Sequence, residues 1–216
     1  MFQIYDIIIN KQLDIIHLNY ILSKYRSNVF INEITSLVYK NLISILSAIS
    51  LIKAGYIGTA RMIFRNIYEN LLIGKIFAVT KDQELFEKWD QGKQISIKKD
   101  VFIKLKNKTS KESIEFWDTL NKYNHGTIYS QNFGLEYDKN IIGDCNTFIS
   151  VLLEMNYHLL NRFICQYRNY YLELYFGNHY KNLKKSSTEI FNISRPIIDK
   201  RCRKVLQDYK TIWKLA

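Results

Sequence analysis

Proline is nearly absent from these 216 residues: there is one, Pro196, alongside eight glycines. So few turn formers exclude an all-β sandwich and point to long helices joined by few connections. Cysteine is scarce too. Cys145, Cys165 and Cys202 lie far apart without a CxxC pair, which argues against a zinc site and suits a reducing compartment. No positive charge precedes the apolar residues of Met1–Ile9, so no secretory signal is read there. The longest uncharged apolar run, Asn41–Ile52 between Lys40 and Lys53, is 12 residues. A membrane span needs about 20, so this run reads as a core helix and the chain as a cytoplasmic protein that meets no membrane. Also missing are a Gly-rich phosphate loop, HExxH, a Ser-centred nucleophile elbow and carboxylates at metal spacing. No cofactor or metal is expected.

What is present is basic charge, unevenly spread. The formal charge is +11. Residues 181–216 carry ten Lys/Arg against three Asp/Glu, and residues 93–111 carry seven Lys against one Asp, so the remainder is slightly acidic. Local basic surface suits a polyanion such as RNA, or an acidic partner protein; a solvated face that keeps the chain soluble fits as well. Tyr is unusually common at 16.

Periodicity gives the fold class. Thr35–Ala54 carries a stripe at Val38, Leu42, Ile45, Ile49 and Ile52, spaced 4-3-4-3. Gly55 supplies a stop and Thr59 an N-cap, so the next helix, Arg61–Val79, is an antiparallel neighbour. Residues 2–9 and 13–25 read as helical, although Ile7-Ile8-Ile9 also fits a short strand. Asp82 caps a helix through Trp89, the Lys-rich stretch 96–109 reads as a mobile connection, and Ser110 caps a helix through Phe116, Trp117 and Leu120. Residues 126–143 read as a loop, and Asp144–Tyr175 as the longest helix, with a stripe at Phe148, Leu152, Met155, Leu159 and Phe163. Gly177–Ser187 reads as a polar connector. Ser194 and Pro196 start a final helix, whose seam of Ile198, Cys202, Val205, Tyr209 and Ile212 would pack within the chain or across a dimer. The expectation is an all-α protein: a bundle of long antiparallel helices with smaller peripheral helices. Residues 1–216 form a single helical domain in this reading, with 181–216 a basic C-terminal connector and helix.

Two places carry candidate chemistry. Arg61–Val79 is apolar nearly all the way round, which belongs inside a protein. Yet Arg61, Arg65 and Glu69 form one polar line along it at i, i+4, i+8. A guanidinium is costly to bury unless it is paired or faces a site. The Arg65–Glu69 order is the poorer one for simple helix stabilisation, so the pair reads as holding a guanidinium beside another helix. A second line, Glu154, His158 and Arg162, has the same spacing and would meet the first if the two helices pack together, as a network that could be purely structural. The other place is Asn121-Lys122-Tyr123-Asn124-His125-Gly126. Asn121 and His125, at i, i+4, share one face. His125 fits a general acid/base near neutral pH; equally, the two side chains would cap the carbonyls of their own helix.

The stretch Leu120–His125 resembles the HEPN superfamily, small bacterial helical domains of which many are metal-independent RNases in phage-defence and toxin–antitoxin systems. Their motif is Arg-polar-x-x-x-His. Asn121 and His125 match the polar residue, the spacing and the histidine, while Leu120 stands where the family has its catalytic arginine. A wider likeness, from about Thr35 to His125, is to uncharacterised bacterial helical proteins with a Gly-bounded hairpin, an Arg-x-x-x-Glu (here Arg65 and Glu69) and a later His-Gly. The resemblance implies an RNase or RNase-derived effector that needs no metal and works as a homodimer. His125 would be its acid/base, Arg65 (or Arg61) its transition-state cation and Asn121 an orienting group. The alternative is a non-enzymatic helical module that binds a protein partner or RNA. Leu120 favours the second and the arginine line the first.

Overall fold

The structure is a computed structural model, described for residues 2–25, 28–105, 110–122, 139–194, 198 and 200–211. Its described part is 89% helical and contains no strand. The α-helices are α1 (Phe2–Ser23), α2 (Val29–Lys53), α3 (Ile57–Thr80), α4 (Gln83–Asp90), α5 (Lys111–Lys122), α6 (Lys139–Leu159), α7 (Gln166–Ser194) and α8 (Lys200–Thr211). Two single π-helical stretches, Ile97–Phe102 and Leu160–Cys165, complete the described elements. The all-α expectation is met.

The centre of the bundle is α3. It packs on α2, α5, α6 and the first π stretch, which is why it has no polar face to spare: Leu71 to Ala78 are buried without interruption. Gly74 lets α6 approach closely, since a Cβ there would lie 2.6 Å from Leu159 Cδ2. On the other side α1 lies along α7. α2 is long and apolar enough to cross a membrane by length and composition, and 50% of that apolar window is buried inside the fold.

A ladder of side-chain amides ties four helices together across the core. Asn70 on α3 donates to Asn41 on α2 (3.0 Å), Asn41 to Asn156 on α6 (3.2 Å), and Asn156 to Gln12 on α1 (3.0 Å). Gln12 finally donates to the Leu153 carbonyl (3.1 Å). Buried amides are tolerable only when paired, so the ladder fixes the register of these helices in a way apolar packing alone does not.

Several boundaries differ from the sequence reading, each for a local reason. α2 starts at Val29 because the Asn28 side chain accepts the Ile31 amide at 3.0 Å. α3 starts at Ile57, with no side-chain cap at Tyr56, so Thr59 lies inside the first turn and is not the N-cap. The Lys-rich stretch is packed over its described part: Ile97, Val101 and Leu105, spaced four apart, are buried beneath the lysines. Asp82 and Ser110 cap as expected, accepting the Leu85 amide at 2.9 Å and the Ser113 amide at 3.2 Å. Residues 139–143 belong to α6, and 126–138 lie outside the described residues, as does Pro196. Gly177–Ser187 is helical rather than a connector. The break is Gly177 alone, at φ 44° and ψ −123°, a conformation glycine adopts far more readily than any other residue. Beyond it Tyr180 and Leu183 bury, which anchors the second part of α7.

The seam of α8 packs within the chain. Ile198, Cys202, Val205 and Tyr209 are all buried, and α8 lies against α5 and α6. It is therefore no spare edge for a dimer; Ile212 lies outside the described residues.

Candidate functional site

The polar line of α3 divides between two neighbours. Arg61, 1% exposed, turns to α6 and pairs with Asp144 at 3.8 Å. Burial raises the thiol pKa of the adjacent Cys145, and the Arg61 guanidinium opposes that rise. Arg65 and Glu69 face α5 instead. The Arg65 Nε donates to Glu69 Oε1 at 2.9 Å, and the same oxygen accepts the Trp117 indole N–H at 2.9 Å. A buried indole N–H needs a partner, and Glu69 supplies it. The carboxylate thereby ties the α3 arginine to the α5 tryptophan. Both charged side chains are about one-fifth exposed, at 22% and 21%, so they sit at the edge of the α3–α5 contact. Among the described residues, the two terminal nitrogens of Arg65 have no hydrogen-bond partner.

Asn121 lies one helical turn beyond Trp117 on α5, hence on the same face. Its Oδ1 is buried and has no hydrogen-bond partner among the described residues. Three of the four candidate residues thus fall along the α3–α5 contact: Arg65 and Glu69 bonded to each other, and Asn121 on the α5 face that carries Trp117. His125, with Asn124 and Gly126, lies outside the described residues. Leu120, at the motif's arginine position, is fully buried.

Trp117 is the participant the sequence reading missed. In the sequence Trp117, Asn121 and His125 stand at i, i+4, i+8, the spacing of the Arg61, Arg65 and Glu69 line, but nothing in that spacing names the helix that Trp117 faces. The ring of Trp117 also meets Phe102, at 6.0 Å between centroids, and the Lys98 ammonium at 5.3 Å. Lys98 further pairs with Asp118 at 3.7 Å, so the first basic stretch lies beside α5.

Much of the basic charge is engaged within the chain. Lys104 bonds Asp82, Lys204 pairs with Glu112 at 2.6 Å, Arg201 with Glu115 at 3.7 Å, and Lys210 bonds Glu154. Lys93 and Lys99 are exposed.

The second line, Glu154–His158–Arg162, does not join the first; Glu154 bonds Lys210 on α8 instead. Burial pushes the Glu154 carboxyl up, but the hydrogen bonds from His158 and Lys210 outweigh it and hold the pKa below the usual carboxylate value. Burial lowers the His158 pKa, with Glu154 opposing. Lys75 on α3 is another buried cation outside the sequence reading. It is 2% exposed, 3.4 Å from the Asp208 carbonyl oxygen and 4.7 Å from the centre of the Tyr209 ring. Burial lowers its pKa to about 8 against the opposing pull of Asp208. Among the described residues no three His, Cys, Asp or Glu side chains converge as a metal site would need.

No known protein family matches this chain, and neither a characterised protein nor a solved structure does.

Proposed function

We propose that the chain is a HEPN-like effector that acts on RNA without a metal, in a bacterial phage-defence or toxin–antitoxin setting in the cytoplasm. The observation that carries this reading is the braced arginine. Arg65 is held through Nε by Glu69, Glu69 is held by Trp117, and the Arg65 side chain is partly exposed at the edge of the α3–α5 contact. An arginine fixed by one nitrogen offers the other two as a fork to a phosphate. In this reading Arg65 stands in for the arginine that Leu120 displaces. The RNA 2′-hydroxyl attacks the adjacent phosphorus, His125 takes its proton and returns one to the leaving 5′-oxygen, and Arg65 stabilises the charge of the five-coordinate phosphorus. Asn121, with an unpartnered buried oxygen next to this face, orients the histidine or the RNA. The family's shared cleft would require a homodimer formed through a face other than the α8 seam.

A second reading is favoured by one observation. Leu120 is fully buried, so the motif position itself offers no cation, and the Arg65 cluster would then bind RNA or a protein partner without cleaving it. The two separate on one experiment. Purified protein is incubated with single-stranded RNA, and both binding and cleavage are followed for wild type, Arg65→Ala and His125→Ala. Cleavage that both substitutions remove supports the RNase. Binding weakened by Arg65→Ala, with no cleavage by any form, supports the module. Neither binding nor cleavage by wild type refutes both.

A further inference from the structure

The Glu154–His158–Arg162 line has no part in the Arg65–Glu69–Trp117 cluster, yet it borders a cavity of about 670 Å³ between α6, the second π stretch and both halves of α7. Small-molecule sites commonly enclose roughly 300–1,000 Å³. This one has a polar wall formed by Tyr157, His158, Asn161, Arg162, Asn169 and Lys184.

Three independent features mark it as a site rather than a packing defect. The first is Asn161. Both its amide atoms, Oδ1 and Nδ2, are shielded from solvent and have no hydrogen-bond partner among the described residues. Buried amides in folded proteins are nearly always satisfied, and an exception calls for an unseen partner. The second is the backbone. Asn161 and Arg162 both sit in the π-helical stretch Leu160–Cys165, and single π turns inserted in α-helices concentrate at functional sites. The third is charge. The one carboxylate on the wall, Glu154, is already bonded to Lys210 and lies 3.8 Å from His158. Arg162 and Lys184 form no ion pair among the described residues. The cavity is therefore positive, with an uncharged donor–acceptor pair deep in its wall.

We propose that this cavity binds a small hydroxylated phosphate ester. Arg162 and Lys184 take the phosphate, which offers several strong acceptor oxygens. The Asn161 amide takes a neighbouring hydroxyl, which can donate to Oδ1 and accept from Nδ2. A carboxylate, with a single negative charge, would balance only one of the two cations, and a neutral polyol would balance neither. The site is separate from the Arg65–Glu69–Trp117 cluster and does not depend on it.

Isothermal titration of the full chain with glycerol 3-phosphate, at constant ionic strength, tests this. Inorganic phosphate and glycerol serve as comparators. Saturable binding of the ester is expected, weaker binding of phosphate, and none of glycerol. Arg162→Gln and Lys184→Gln, both at solvent-reachable positions, each weaken the ester by about tenfold, as the loss of one charge-assisted hydrogen bond should. Asn161→Ala removes the preference for the ester over phosphate, and melting curves confirm that each variant is folded. The proposal is overturned if the ester does not saturate. It is also overturned if the Arg162→Gln/Lys184→Gln double variant binds as wild type does, or if Asn161→Ala keeps the preference. Loss of binding in Arg65→Ala, with none in Arg162→Gln, would place the ester at the Arg65 cluster and equally refute it.

Discussion

Lys75→Met should stabilise the protein near neutral pH, and the gain should vanish as the solution becomes alkaline. Lys75 is buried against α8, and its pKa falls from 10.5 to about 8. An unfolded chain keeps that proton up to its ordinary pKa, while the folded chain releases it near pH 8. Between the two values the unfolded state holds more protons, so the Lys75 contribution to stability rises with pH. Below pH 8 the folded state carries a charge it disfavours by about 3 kcal/mol, since each tenfold loss of proton affinity is worth about 1.36 kcal/mol. Methionine fills nearly the same volume without a charge. It also loses the 3.4 Å contact to the Asp208 carbonyl and the Tyr209 ring contact, which together offset about 1 kcal/mol. The net gain expected at pH 7 is about 2 kcal/mol, or roughly 4–8 °C in melting temperature for a chain of this size. By pH 10 the difference should be near zero or slightly negative. Urea unfolding of both proteins at pH 7, 8.5 and 10 measures it. A variant less stable than wild type at pH 7, or a difference from wild type that does not change with pH, would refute this.

Other substitutions probe separate parts of the account. Asn156→Leu removes the middle of the amide ladder, leaving Asn41 Nδ2 and Gln12 Oε1 without their partners. At about 1–3 kcal/mol for each orphaned group, the urea midpoint should fall by the equivalent of roughly 2–6 kcal/mol with an unchanged slope. Gly177→Ala should destabilise by about 1–3 kcal/mol, although nothing lies within 4 Å of the added methyl, because the backbone conformation is the obstacle; thermal melts check this. Trp117→Phe keeps a ring against Phe102 but frees Glu69 from its second donor. It should cost about 1 kcal/mol in stability and lower RNA affinity by loosening Arg65, as fluorescence anisotropy with a labelled oligonucleotide would report. That affinity should also fall steeply between low and moderate salt, since cations meeting phosphates release counterions.

The helices were legible wherever one apolar stripe dominated. The 4-3-4-3 stripe of α2 and the all-round apolar character of α3 led to their buried, adjacent places in the bundle. The same rule failed where polar residues outnumber a sparse stripe. Ile97, Val101 and Leu105 bury beneath lysines, and Tyr180 and Leu183 beneath the polar surface of α7, so both stretches read as connections. At the site, the Arg65–Glu69 contact followed from spacing and from the cost of burying a guanidinium. Trp117 was hidden because its role depends on how α3 and α5 face each other, which no local pattern specifies. The supposed meeting of the two polar lines failed for the same reason. Arg61 finds Asp144 near the start of α6, whereas Glu154 finds Lys210 on α8.

If a braced Arg65 and His125 cleave RNA without a metal, the purified chain incubated with single-stranded RNA in excess EDTA should still cut it. The product ends should carry 2′,3′-cyclic phosphate, and His125→Ala should lose cleavage at an unchanged melting temperature. Full activity in the folded His125→Ala variant, or an RNA left intact by the wild-type chain, would contradict this.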